Sequence, residues 1–221
     1  MKKAILILLV VIVGSVLAYQ YLKPKEKPLP FINPTDVLEE MVDPEMLRIG
    51  RGHTIGDFSF LNQKGETITQ DFVKGKVYVA EYFFTTCGTI CPKMNLQMRR
   101  IQKAYDNDKD VRLLSFTVHP EVDTVEQMWR YAESHNANHN QWQFLTGDKS
   151  ELYSLARKSF FVLKPAEAQN LGDAGSDFIH TNNFVLVDQQ GRIRGYYDGT
   201  SKEEVDTLIE DIQRLIDEGD K

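Results

Sequence analysis

The eight residues Val77-Tyr78-Val79-Ala80-Glu81-Tyr82-Phe83-Phe84 constrain the fold more than any other stretch of the chain. A nearly continuous apolar run rich in β-branched and aromatic side chains leaves no wet face, so it predicts a central strand covered on both sides. Thr85-Thr86-Cys87-Gly88-Thr89-Ile90-Cys91-Pro92 follows directly, and Met94, Met98, Ile101 and Tyr105 then recur at helical spacing. Strand therefore leads into amphipathic helix, and both cysteines of the chain lie at the junction.

Similar patterns extend this order in both directions. Phe58-Ser59-Phe60-Leu61 and Glu66-Thr67-Ile68-Thr69 flank the polar turn Asn62-Gln63-Lys64-Gly65, as in a short hairpin. Val111 to Val118 predicts a second strand, and Thr124-Val125-Glu126-Gln127 has capping-box form ahead of a helix through Ser134. A short strand at Gln143-Phe144-Leu145 and a helix from Asp148 to Phe160 come next. Phe184 to Val187 and Arg192 to Tyr197 then form a hairpin, and Ser201 with Glu204 caps a last helix striped by Val205, Leu208, Ile209, Ile212, Leu215 and Ile216. Hairpin, β, α, β, α, β, α, β, β, α implies an α/β fold, a mixed sheet with helices on both faces. With 221 residues, 42% hydrophobic and 26% charged, one sizeable body with terminal extensions fits better than two comparable domains.

The first extension is Met1-Lys2-Lys3 followed by Ala4 to Tyr19 without a charge. Its length lies between a signal-peptide core and a spanning helix, and both readings mean export. Val16-Leu17-Ala18 is a poor cleavage site, so residues 1–22 are read as an N-terminal membrane anchor or uncleaved signal. Lys2 and Lys3 would stay in the cytoplasm, which predicts a single-pass protein of the inner membrane with its globular domain on the extracytoplasmic, periplasmic side. Residues 23–50 carry Pro24, Pro28, Pro30, Pro34 and Pro44 and read as a Pro-rich tether, leaving 51–221 as the domain. A net charge of −6 offers no basic field for phosphate backbones, so no nucleic-acid partner is expected.

Chemistry concentrates at Cys87 and Cys91. If the segment is helical from about Thr89, the i, i+4 spacing lets both sulfurs share one face, and a helix N-terminus stabilises thiolate. Two such thiolates can form a reversible disulfide or grip a soft ion such as Cu(I). A plain structural disulfide is the third reading, but such bridges usually join distant segments, and this pair sits at the carboxyl end of a central strand, where α/β folds place ligands.

Phe83-Phe84-Thr85-Thr86-Cys87-Gly88-Thr89-Ile90-Cys91-Pro92-Lys93-Met94, then Phe116-Thr117-Val118-His119-Pro120 with Asp123-Thr124, then Ile179-His180-Thr181 ahead of Phe184-Val185-Leu186-Val187-Asp188, together resemble the SCO/SenC proteins. The resemblance runs from Ile55 to Ile216, with the three blocks in the family's order. It implies a thioredoxin-like, membrane-anchored copper protein of cytochrome c oxidase assembly. By the same resemblance Cys87, Cys91 and His180 form the copper site, Cys87 and Cys91 are also a redox pair, and the partner is the oxidase's copper-binding subunit or its assembly factors. Where the family usually has Asp-Pro, this chain has His119-Pro120. His180 has support of its own, because it precedes a strand, is flanked by Phe178 and Ile179, and offers an imidazole that would let a thiolate pair hold Cu(II).

Other candidates read as structural. Met94 and Met98 fall on the buried helix stripe. His135 and His139 belong to a solvated loop, His53 to the surface and His119 to a loop at the same sheet edge as the cysteines. Asp177 is a candidate outer partner for His180, and Glu203, Glu204, Glu210, Asp211, Asp217, Glu218 and Asp220 form the wet face of the last helix. Two functions remain: a metallochaperone delivering one copper, and a thiol–disulfide oxidoreductase or thioredoxin-like peroxidase turning over the same dithiol. His180 separates them, since exchange chemistry needs no distant imidazole.

Overall fold

Every residue from Val77 to Phe83 is buried, as a strand without a polar face requires. The computed structural model describes residues 11–15, 27–43, 45–106, 108–162 and 182–219. In chain order these residues form β1 (Ser59–Asn62), β2 (Thr67–Thr69), β3 (Val77–Phe83), α1 (Cys91–Ala104), β4 (Val111–Thr117), α2 (Val125–Ser134), β5 (Trp142–Thr146), α3 (Lys149–Lys158), β6 (Asn183–Val187), β7 (Ile193–Asp198) and α4 (Lys202–Gly219). The sheet order is β2-β1-β5-β4-β3-β6-β7, with β3 near the middle. It is mixed: β3–β4 and β4–β5 pair parallel, the other neighbours antiparallel.

Alternation along β3 builds two cores. Tyr78, Ala80 and Tyr82 face a cluster with Phe58, Phe60, Phe116, Phe160 and α3 residues Leu152, Leu155 and Ala156. Val77, Val79 and Phe83 face the other, filled by Met94, Met98 and Ile101 of α1, Met128 of α2 and Val205, Leu208, Ile212 and Leu215 of α4. Helices thus cover both faces, as the alternating order of elements implies.

Local signals set the element ends. Thr124 Oγ1 accepts from Gln127 N at 3.3 Å, and Asp148 Oδ1 accepts from Glu151 N at 3.1 Å, each satisfying one of the orphan amides of a helix start. In the β1–β2 turn Asn62 Oδ1 accepts from the amides of Lys64 and Glu66, and Gly65 supplies the left-handed residue at φ 76.

Residues 23–50 depart from the expected tether from Lys27 on. Leu29, Met41 and Val42 are buried, Ile32 N donates to Ile193 O at 2.9 Å, and short 3-10 turns cover 34–36, 39–41 and 46–49. Arg194 explains the docking: it is 3% exposed, pairs with Asp188, and donates to Pro30 O at 3.0 Å and Leu29 O at 2.7 Å. Phe31 lies under the Arg192 and Arg194 guanidiniums, each 4.4 Å from the ring centre. Of residues 1–22 only the helical stretch 11–15 is described, and among the described residues no helix is long and apolar enough to cross a membrane.

Two further expectations are corrected. His53 is buried, not on the surface; its Nε2 lies 2.8 Å from Ser159 O and its ring packs on Phe161, so burial, partly offset by that contact, lowers its pKa. Asp211 is not on the wet face of α4 but 5% exposed, accepting from Tyr197 Oη at 2.7 Å and from Arg214.

Candidate metal centre

Parallel pairing puts the carboxyl ends of β3 and β4 at one pole of the sheet, and the chain leaving β3 carries the dithiol there. Phe84, Thr85 and Thr86 turn out of the strand, with Cys87 N donating to Phe84 O at 3.2 Å. The helix begins at Cys91 rather than Thr89, so Cys87 stays in the loop and Cys91 occupies the first helical turn with Pro92. Both cysteines are thiols, Cys87 partly exposed and Cys91 buried.

They are brought together by a helix-capping contact. Cys91 N donates to Cys87 Sγ at 3.5 Å, and Thr89 Oγ1 lies 3.6 Å from the same sulfur. Partial burial acts against the Cys87 thiolate, but hydrogen bonds from the amides and side chains of Cys91 and Thr89 outweigh it and bring the thiol down to about 6. Cys91 goes the other way: burial pushes it far up, opposed by a bond from the Phe84 backbone and reinforced by Cys87 and Glu81. One sulfur is thus a ready nucleophile and soft donor at neutral pH, the other a protonated reserve.

A polar layer supports the pair from below. Glu81 is fully buried, its Oε1 accepts from Ser115 Oγ at 2.6 Å, and Trp142 Nε1 donates to Ser115 Oγ at 2.8 Å. Burial, only partly offset by Ser115, pushes the Glu81 carboxyl up to about 8, so it is mostly neutral at pH 7. Asn95 Nδ2 donates to Cys91 O at 2.8 Å and to Tyr131 Oη at 2.6 Å, tying the first turn of α1 to α2. On the loop after β4, Asp123 accepts from Thr85 N and from the Thr85 and Thr117 hydroxyls.

The expected site residues divide clearly. Cys87 and Cys91 meet; His180 and Asp177 lie outside the described residues. Met94 and Met98 are fully buried in the core. His139 is no solvated-loop residue: it stacks on Trp129 at 4.8 Å, and its two nitrogens contact Gln63 at 2.9 Å and Glu133 at 2.7 Å. His135 packs on Tyr131, with Nδ1 2.8 Å from Tyr131 O. His119 lies at the pole just past β4, and its Nδ1 is buried with no hydrogen-bond partner among the described residues. Also among the described residues, no group of three or more His, Cys, Asp or Glu side chains is placed to hold a metal.

Glu81 and Asn95 were not singled out from sequence, and Asp123 stood there only as part of the second motif block, with no role given to it. A lone acid inside an apolar strand was a visible signal for Glu81; nothing local distinguishes Asn95.

The depressed Cys87 thiol gives a direct test. Iodoacetamide should alkylate Cys87 of the reduced protein with a midpoint near pH 6, because the thiolate is the nucleophile. Between that value and the ordinary thiol range the unfolded chain binds the additional proton, so this group makes stability rise with pH across the window. A Cys87 midpoint in the ordinary thiol range would refute the assigned capping contact.

Comparison with known proteins follows the same lines. The SCO1/SenC family model matches residues 48–217. An SCO1 protein homolog of Bacillus subtilis is 34% identical over 164 residues, covering 73% of this chain and 82% of its own length. The solved structure of BsSco, a member of the Sco family of cytochrome c oxidase assembly proteins in which a disulfide switch is identified, is 32% identical with a TM-score of 0.63, covering 75% of this chain and 94% of that one. Bradyrhizobium japonicum ScoI, solved with copper bound, shares the fold at 23% identity and TM-score 0.59, covering 74% of this chain and 99% of that one. The helix-flanked mixed sheet is accordingly the thioredoxin-like arrangement expected from sequence.

Proposed function

The chain belongs to the SCO1/SenC family, and from that premise we propose that it is a copper chaperone that takes up one copper through Cys87, Cys91 and His180 and passes it on during cytochrome c oxidase assembly. The observation that carries this reading is the dithiol itself: two soft sulfurs at the carboxyl pole of a central strand, one of them capping α1 as a thiolate donor. Copper is cargo here, so its holder needs affinity together with an exit. Cys87, partly exposed, is the sulfur that meets incoming or departing ion, and Cys91 closes on it from the buried side after losing its proton. The receiving partner on this reading is the oxidase's copper-binding subunit or an assembly factor. Residues 1–22 hold the chain in the inner membrane with the domain on the periplasmic side, a reading supported by the charge-free run Ala4 to Tyr19 behind Lys2 and Lys3.

An anaerobic copper titration of the full chain in detergent tests the reading. Reduced protein should bind one copper per chain; two or more independent sites, or none, would defeat it. His180→Ala then probes the third ligand. Two thiolates can hold linear Cu(I) without it, whereas Cu(II) favours further nitrogen or oxygen donors, so Cu(II) affinity should fall by at least about 10–100-fold while Cu(I) affinity changes little. Parent-like Cu(II) binding in this variant would remove His180 from the site.

The split between a lowered Cys87 and a raised Cys91 also favours a second activity at the same pair, thiol–disulfide exchange, with Cys87 as attacking thiolate and Cys91 as resolving thiol. It is distinguished by disulfide-reductase turnover, which His180→Ala should leave intact.

A further inference from the structure

Cys87 caps α1 from a loop, and a loop sulfur keeps a 3.5 Å contact only if the backbone leading to it is held. The hold is at Thr85. Its amide lies 3.2 Å from each carboxylate oxygen of Asp123, its hydroxyl donates to Asp123 Oδ1 at 2.5 Å, and the same hydroxyl accepts from Gln127 Nε2 at 3.2 Å. Asp123 is fully buried and is itself fixed: Oδ2 accepts from the Thr117 hydroxyl at 2.5 Å, and its own amide donates to His119 O at 2.9 Å.

We propose that Asp123 is the positioning residue of the dithiol, clamping the end of β3 to the end of β4 so that Cys87 Sγ stays against the Cys91 amide. The inference rests on the reading of Cys87 and Cys91 as the working centre. Two simpler roles for the carboxylate do not account for it. The cap of α2 is Thr124, whose hydroxyl already accepts from Gln127 N, so the helix start does not need Asp123. Nor is it an ion-pair partner among the described residues: its side-chain contacts there are the Thr85 amide and the Thr85 and Thr117 hydroxyls. What remains is a buried carboxyl group satisfied by two threonine hydroxyls and one amide, and a buried polar group so placed fixes the segments that satisfy it. Three of the hydrogen-bond contacts converge on a residue two positions ahead of Cys87. Without them the turn at Phe84 to Thr86 is free to shift, and the capping contact on Cys87 is the first to be lost.

The experiment compares Asp123→Ala, Thr85→Val, Asp123→Asn and Thr117→Val, measuring Cys87 alkylation rate on reduced, metal-free full chain at pH 7, Cu(I) affinity by competition, and melting temperature. Thr85→Val cuts the carboxylate's hydroxyl link to the cysteine loop, whereas Thr117→Val cuts its link to the β4 side chain and removes the acceptor of His119 N, but leaves Asp123 held at the end of β4 through its own amide on His119 O. Asp123→Ala and Thr85→Val should slow Cys87 alkylation by about 10-fold and weaken Cu(I) binding by about 10–100-fold, the range typical of lost outer partners. Asp123→Asn, which keeps the shape and an acceptor for Thr85, should recover most of both, and Thr117→Val should alkylate at nearly the parent rate even where its melting temperature falls. A purely fold-holding role predicts instead that alkylation follows the loss of melting temperature in all four, and that result would overturn the proposal. If Asp123→Ala does not fold, Thr85→Val against Thr117→Val decides. Failure of the parent to bind copper would overturn the chaperone reading alone, since alkylation is read without metal.

Discussion

Oxidising Cys87 and Cys91 to a disulfide should abolish tight copper binding, and replacing either by serine should weaken Cu(I) affinity by at least about 100-fold, beyond the 10–100-fold that loss of an outer partner typically costs. The donor in each case is an anionic sulfur, and a disulfide sulfur has neither the charge nor the basicity to replace it. The two serine variants should differ in a second readout. Cys91→Ser keeps the Cys91 amide that caps the Cys87 sulfur, so a reactive thiolate survives; Cys87→Ser leaves a buried thiol whose pKa is raised, so rapid alkylation disappears. Competition against a Cu(I) chelator on the full chain, reduced and oxidised, measures the first effect. Parent-like affinity in the oxidised protein would remove the dithiol from the site.

The second large effect lies in the core that carries this pole. Phe116 is fully buried, and its ring centre lies 5.7 Å from Phe58, 6.0 Å from Phe60, 5.2 Å from Tyr82 and 5.6 Å from Phe160. It therefore joins β1, β3, β4 and the end of α3 in one aromatic group, and aromatic neighbours at these separations hold one another in place. Phe116→Ala leaves a cavity that four surrounding rings, spread over the β1 segment, β3 and the chain just after α3, cannot close together, so a loss of about 3–5 kcal/mol is expected. Urea unfolding followed by tryptophan fluorescence measures it, as a lower midpoint at unchanged slope. A loss below about 1 kcal/mol, the level of a volume-conserving core exchange, would mean that the site collapses around the gap.

Much of this protein was legible one segment at a time. The apolar run at Val77 named the central strand because a residue with no wet neighbour has no other place to go. Met94, Met98 and Ile101 named α1 because their spacing matches a helix turn, and Thr124 and Asp148 named two helix starts because each side chain reaches an amide only a few residues ahead. These are short-range relations, set by backbone geometry, and the three ordered motif blocks added the family.

What sequence left open depends on groups far apart in the chain. Nothing near Leu29 or Pro30 announces that their carbonyls end on Arg194, 165 and 164 residues away, so an expected tether packs as part of the domain. His53 is buried because Ser159 and Phe161 meet it from the far side of the chain. The spacing of Cys87 and Cys91 offered a pair of similar thiols; only tertiary structure made them unlike. Burial against the core raises one, while the first turn of α1, reached by the Cys87 sulfur from a loop tied at Thr85 to Asp123, 38 residues away, lowers the other. Sequence by itself determined the elements, their order and the two sulfurs, because periodicity and capping act over a few residues. The sheet order, the burial of each charge and the proton on each thiol were decided by the fold, because solvation and hydrogen bonding depend on which distant residues arrive beside a group.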